Sequence, residues 1–296
     1  MDSKPSPQGL KDMTPRTLVI LAITVHSAFV WAQESTTQPA GPASAPAAPA
    51  TAPAAPGPQT LPAPPEEVKR RLENLEKAGA KYAAIQAKVQ YQVDMAMTGD
   101  TEQRTGWVAY QQETAQTPAK FRVQFETLRL GEGKTINDRV DYAFDGEWLT
   151  VAKHRIKQMT RYQVATKGEK VDPLKLGRGP FPLPFGQKTG QMIRFFEASA
   201  RPSTPDDPKD TDYLKLTTRK EFKKDINFTQ LEMWIERATN LPVKLVSKDD
   251  KKNVTTLVFT DIQTDKKLSD DMFLLPRPLG WSLSIEKLET GQALTP

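Results

Sequence analysis

The chain has 296 residues, a formal net charge of +5 and no cysteine. That length allows one large domain or two small ones, with enough chain to bury a core. The lack of cysteine excludes disulfides, thiolate catalysis and Cys-based zinc or iron–sulfur sites, and two histidines, His26 and His154, are too few for a His-rich metal centre.

Residues 1–32 have the layout of a secretory signal. Lys4, Lys11 and Arg16 form a basic front, residues 17–32 carry no charge, and Val30-Trp31-Ala32 places small residues at −3 and −1 of a cut before Gln33. A retained N-terminal anchor is the rival reading. A helix over that uncharged stretch would reach about 24 Å, short of a hydrocarbon core of roughly 30 Å. Export places the protein in the periplasm, and without a cysteine it carries no lipoprotein acylation site.

Residues 33–65 read as a disordered linker. Ten Pro and ten Ala take 20 of the 27 positions from 39 to 65, a composition that cannot bury enough apolar surface to offset the entropy of ordering. Such a segment is extended and works as a tether. Residues 66–296 form the folded domain.

The domain opens with a helix. Pro64-Pro65 and Glu66-Glu67 suit a helix N-terminus, Val68, Leu72, Leu75 and Ala78 make one apolar stripe, and Gly79 is a stop signal. Strand then follows strand. From Ile85 to Met97 the odd positions are apolar, while the even positions from Gln86 to Asp94 are polar, the period-2 mark of a long strand with one dry face. Residues 106–110 form another strand. Phe121, Val123 and Phe125 alternate before the phase shifts to Leu128 and Leu130, which predicts a bulge near Thr127. Val140, Tyr142 and Phe144 run up to the Asp145-Gly146 turn, with Trp148, Leu149 and Val151 returning. Residues 156–164 and 213–218 are further strands, Leu231, Met233 and Ile235 alternate with polar neighbours, and strands at Val243–Leu245, 254–262 and 281–288 complete the set.

Between these, Pro173, Pro180, Pro182 and Pro184 with Gly177, Gly179 and Gly186 forbid regular strand, and 187–198 reads as a short helix. Phe181, Leu183, Phe185, Met192, Phe195 and Phe196 form an apolar group that predicts a lid or a static plug over the sheet. The predicted fold class is α+β: an antiparallel, half-open β-barrel of about ten to eleven strands covered by short helices.

Catalytic signatures are absent: there is no P-loop, no GxGxxG, no GxSxG and no HExxH. His154, in a run of Lys153, Arg155 and Lys157, is expected to be a solvated strand residue, and the Asp-Asp pairs at 206–207, 249–250 and 270–271 read as polar loops. No metal or cofactor is called for. Residues 153–178 hold eight Lys/Arg against two acids, so Lys153, Arg155, Lys157 and Arg161 are candidates for contact with an anionic membrane surface. Nucleic acid is not an expected partner, since no binding motif is present.

Several ordered segments resemble the LolA-type outer-membrane lipoprotein carrier superfamily. They are the helix and long strand of 66–97, Gly106-Trp107-Val108 followed by Pro118-Ala119-Lys120-Phe121-Arg122, and Asp145-Gly146-Glu147-Trp148-Leu149. The tail adds Leu241-Pro242-Val243, Phe259-Thr260-Asp261-Ile262, Leu268 to Phe273, Pro276 and Gly280. The family's Arg before the Pro is Thr117 here. The resemblance implies an incomplete barrel holding acyl chains on its concave face, hence a periplasmic binding protein for lipid or lipoprotein acyl chains and no enzyme. Relatives of that fold also include an envelope-stress sensor, so a sensor or scaffold binding a protein partner is the alternative. The expected cavity lining is Val89, Tyr91, Val93 and Met95; Phe121, Val123 and Phe125; Val140, Tyr142 and Phe144; and Leu231, Met233 and Ile235.

Overall fold

The computed structural model describes residues 64–166, 176–177, 187–264 and 266–287. The expected signal segment, nearly all of the linker, and Phe181, Leu183 and Phe185 lie outside the described residues.

Helix α1 (Glu66–Lys81) begins directly after Pro65, with Glu66 and Glu67 in its first turn and Lys81 in its last, each complementing the helix dipole. Its stripe of Val68, Leu72, Leu75 and Ala78 is buried. The chain then builds β1 (Ala84–Asp94), β2 (Thr101–Gln111), β3 (Lys120–Leu130), β4 (Ile136–Phe144), β5 (Trp148–Lys153) and β6 (Gln158–Gln163). After α2 (Thr189–Phe195) come β7 (Phe196–Arg201), β8 (Thr211–Thr218), β9 (Gln230–Glu236), β10 (Pro242–Lys248), β11 (Val254–Thr264) and β12 (Ser282–Glu286).

All twelve strands form one sheet in the order β12-β6-β5-β4-β3-β2-β1-β11-β10-β9-β8-β7. Two meanders are joined by the antiparallel pairing of β1 with β11. The sheet does not close, because β12 and β7 are its two ends. This open sheet, antiparallel except at β12, with few short helices has the half-open architecture expected from the sequence, with one or two more strands than predicted.

The phase shift near Thr127 is a real bulge. The β3–β4 ladder slips between Phe125 and Thr127, and the β2–β3 ladder slips between Thr105 and Gly106. Here two backbones close on each other: a Cβ at Gly106 would sit 1.8 Å from the carbonyl oxygen of Gln124. Only glycine fits such an approach.

The concave face carries the core. Its floor includes Ile85, Val89, Val108, Phe121, Val123, Phe125, Phe144 and Leu149 from one meander, and Leu214, Leu216, Leu231, Met233, Leu245, Leu257 and Phe259 from the other; α1 packs onto it with Leu72 at 0 % exposure. The convex face of β4–β6 is covered as well. The segment from Asp270 onward crosses it, Trp281 packs on Ala152 and Met159, and β12 pairs with β6 in parallel.

Several local expectations change. His154 lies in a 3₁₀ turn, His154–Ile156, and not in a strand. Its Nε2 is 2.7 Å from Asp141 Oδ2 and its ring meets Trp281 edge-on at 4.8 Å, so it is a partnered, half-buried residue and not a freely solvated one. Asp207 is also no loop solubiliser: it accepts two hydrogen bonds from Arg201 (2.6 and 2.8 Å) and one from Trp234 Nε1 (2.6 Å). These bonds hold its carboxyl far below the usual carboxylate range, with Arg201 the largest cause. The predicted helix of 187–198 stops at Phe195, and Phe196 opens β7. β-Strand pairing with β8 starts there, Phe196 opposite Thr218.

Candidate functional site

The period-2 rule and the register assign each candidate lining residue. Val89, Phe121, Val123, Phe125, Phe144, Leu231, Met233 and Ile235 are buried in the concave core, and Val140 is buried at its edge. Tyr91 and Tyr142 are half-buried against that core, and Val93 and Met95 continue the same phase of the chain with partial exposure. Tyr91 lies opposite Arg104, and Val93 opposite Glu102. The aromatics pack in two groups: Tyr91 and Phe125 are 5.4 Å apart and Phe125 meets Tyr142 edge-on at 6.4 Å, while Phe121 stacks on Phe144 at 6.0 Å.

The sequence reading missed the polar end of this face. Glu102 and Arg104 occupy inward positions of β2, across from Val93 and Tyr91 of β1. Arg104 Nε donates to Glu102 Oε1 at 2.6 Å and Nη1 to Asp138 Oδ2 at 3.2 Å, while Arg155 Nε donates to Asp138 Oδ1 at 3.0 Å. The result is an alternating chain of charge, Glu102–Arg104–Asp138–Arg155, across β2, β4 and the turn after β5. Burial opposes the charge of Arg104, but Glu102 and Asp138 outweigh it and raise its pKa. Burial also pushes the Tyr91 and Tyr142 hydroxyls up, Tyr91 with further help from Tyr142 and Glu102, so both are neutral donors at physiological pH. The signal available in the sequence was the alternation of Glu102, Arg104, Gly106, Val108 and Tyr110, which puts two charges in phase with the core positions Val108 and Tyr110.

The roof of the site is α1 with α2 beside it. Thr189 N–H donates to Glu76 Oε2 at 2.9 Å, tying the two helices together. That bond is the largest cause of the lowered pKa of Glu76. Met192 and Phe196 are buried, and Phe195 packs edge-on against Phe222 at 4.8 Å. Of the expected lid residues, these three therefore lie at the roof, Phe196 as part of the sheet. Two cavities border α2. One of about 10 Å³ is walled by Leu176, Gln187, Met192 and Phe195; the other, of about 170 Å³, lies at the β7 edge and is lined by Pro64, Pro65, Ile193, Phe196, Glu197, Ala198 and Arg219.

The four basic candidates do not share a face. Lys153 pairs with Val140 in the inward phase, Arg155 is bound to Asp138, and Arg161 lies over the Trp148 ring at 4.8 Å on the convex side. Lys157 sits in the turn before β6 with a left-handed backbone, φ 52°.

No group of three or more metal-ligating side chains occurs among the described residues, nor is any described helix long and apolar enough to cross a membrane.

No protein-family model and no curated protein matches this chain. Among solved structures, it is similar to an uncharacterized conserved protein from Thermus thermophilus, at TM-score 0.43 and 14% identity over 75% of this chain and 100% of that one. It is also similar to LprF from Mycobacterium bovis, at TM-score 0.41 and 10% identity over 73% and 99%. A LolA superfamily protein from Nitrosomonas europaea aligns at TM-score 0.33 and 12% identity over 70% and 97%.

Proposed function

We propose that the protein is a periplasmic binding protein for acyl chains of lipids or lipoproteins, acting by binding and not by catalysis. One observation carries the reading: among the described residues the apolar concave floor of an open sheet is roofed by α1 with α2 beside it instead of by a second sheet, so the face can be uncovered without breaking the strand ladder. The charged chain from Glu102 to Arg155, with the Tyr91 and Tyr142 hydroxyls, gives that floor a polar end beside which the head of an amphiphile can rest. The export-type segment at residues 1–32 supports the compartment.

The chain-length dependence of fatty-acid binding tests this. Affinity for a fluorescent fatty acid should rise about fourfold per added methylene, from roughly 0.8 kcal/mol each, and then level off when the face is full. Val93→Trp should lower the affinity while leaving the denaturation midpoint in place. Absence of binding, or binding indifferent to chain length and to Val93→Trp, would overturn the proposal.

A second reading, a sensor or scaffold that docks a protein partner, is favoured by a different observation. Met97, Leu130, Ile136, Ile156 and Leu279 are exposed large apolar residues. By the strand register they all lie at one end of the sheet, on or beside the tips that join β1 to β2, β3 to β4 and β5 to β6 and the turn before β12. Arg155 and Lys157 lie on the same tips, so a partner or an anionic membrane surface would meet this rim first.

A further inference from the structure

The cavity of about 170 Å³ at the β7 edge has a chemistry of its own. Its walls from Pro64, Pro65, Ile193, Phe196 and Ala198 are apolar. One charged group is buried among them: Arg219, directly after β8, is 8 % exposed. Its backbone N–H is bonded to Phe195 O at 3.0 Å, which fixes the residue in place. Its Nε donates to Ile193 O at 3.3 Å. Its Nη1 faces the carboxylate of Glu197 at 3.6 Å, beyond hydrogen-bond distance.

A buried guanidinium is costly unless it is paired and hydrogen-bonded. Glu197 is a weak partner, since its side chain is 70% exposed and ion pairs open to water contribute little. Yet its position marks the direction from which a carboxylate meets this fork. A ligand carboxylate that entered with an apolar body would be desolvated by the walls and would reach Arg219 at bonding distance, two things Glu197 does not do. The volume is on the scale of a small body, since an apolar cavity of about 150 Å³ holds a benzene-sized molecule.

We propose that this cavity binds a small monocarboxylate with an apolar body of about six carbons, its carboxylate forked on Arg219 in place of Glu197 and its body against Pro64, Pro65, Ile193, Phe196 and Ala198. The site goes beyond the acyl-chain reading, since it lies at the free edge of the sheet and uses none of the candidate lining residues of the floor.

Calorimetric titration of the full chain with hexanoate and with hexanamide tests it. Hexanoate should bind one to one, and hexanamide, which lacks the charge, at least about tenfold more weakly. Glu197→Gln removes the resident competitor from an exposed position and should tighten hexanoate severalfold. Arg219→Gln should abolish the preference for the acid. If Arg219→Gln fails to fold, the acid–amide comparison on the unchanged protein and Glu197→Gln still decide. Equal binding of acid and amide, no binding of hexanoate, or no effect of Glu197→Gln would each overturn the proposal. Val93→Trp should leave hexanoate binding unchanged; its loss there would place hexanoate on the concave floor and overturn the site. Long-chain binding that survives without hexanoate binding defeats only this inference, and the converse defeats only the acyl-chain reading.

Discussion

Asp141 illustrates what a single residue does in this fold. It is 0 % exposed on the convex side of β4. Arg122 reaches it from β3 at 2.7 Å, Arg139 at 2.9 Å and His154 at 2.7 Å, while Arg122 Nη1 also holds Met272 O of the C-terminal segment at 2.9 Å. Burial works against the carboxylate, but Arg139 and Arg122 outweigh it, and its pKa stays below the usual value. A depressed carboxyl contributes stability that is complete above the unfolded value, about 3.9 for Asp, and is lost as pH falls through the folded value. Asp141→Asn leaves two guanidinium groups without their counter-charge and should destabilise by about 3–5 kcal/mol at neutral pH. It should also flatten the acid limb of stability below about pH 4. Urea midpoints from pH 7 to pH 2 check both, and a variant with an unchanged acid limb would assign that limb to other carboxylates. None of this network was legible in the sequence. His154 sits in a charged run that reads as wet, and Asp141 falls between Val140 and Tyr142 on the other face of the strand; period 2 separates the two faces without saying that the second is covered too.

Among the elements, strand phase was the most readable property and partnership the least. The alternation from Ile85 predicted β1, and the shift near Thr127 predicted the bulge, because both are local consequences of which side chains must face the core. The parallel pairing of β12 with β6, and the C-terminal segment lying over β4–β6, depend on residues more than a hundred positions apart and leave no periodic mark. The end of α2 was misplaced for a similar reason. Phe195 and Phe196 look alike as sequence, but the ladder to β8 claims Phe196 and turns it into the sheet. The bulge yields a prediction at this scale. Gly106→Ala would drive a Cβ to 1.8 Å from Gln124 O, where backbone stands on both sides and no rotamer change relieves the clash. The β2–β3 ladder must open locally, with an expected loss of about 2–4 kcal/mol. Faster amide exchange confined to Thr105–Val108 and their partners on β3 would locate the damage. A stability equal to the parent's would show that the two strands part there at no cost.

For the whole molecule, the filled state of the concave face turns acyl binding into a competition. Among the described residues α1 covers the floor, with Val68, Leu72, Leu75 and Ala78 buried against it. An acyl chain on the floor must therefore take the place of α1 side chains, with Leu72 and Leu75 the most deeply buried of them. Helix and ligand then trade the same apolar surface, and a change that loosens the helix should favour the ligand. Leu72→Ala should cost the unliganded protein about 2–5 kcal/mol, and it should tighten long-chain fatty acids instead of weakening them, since less packing has to be displaced. Hydrogen exchange separates this from simple damage. In the parent protein, ligand should speed exchange along Glu66–Lys81 and leave β1, β3 and β11 protected. Slower exchange in α1 on adding ligand, together with weaker binding by Leu72→Ala, would mean that the helix stays seated and itself forms part of the binding surface.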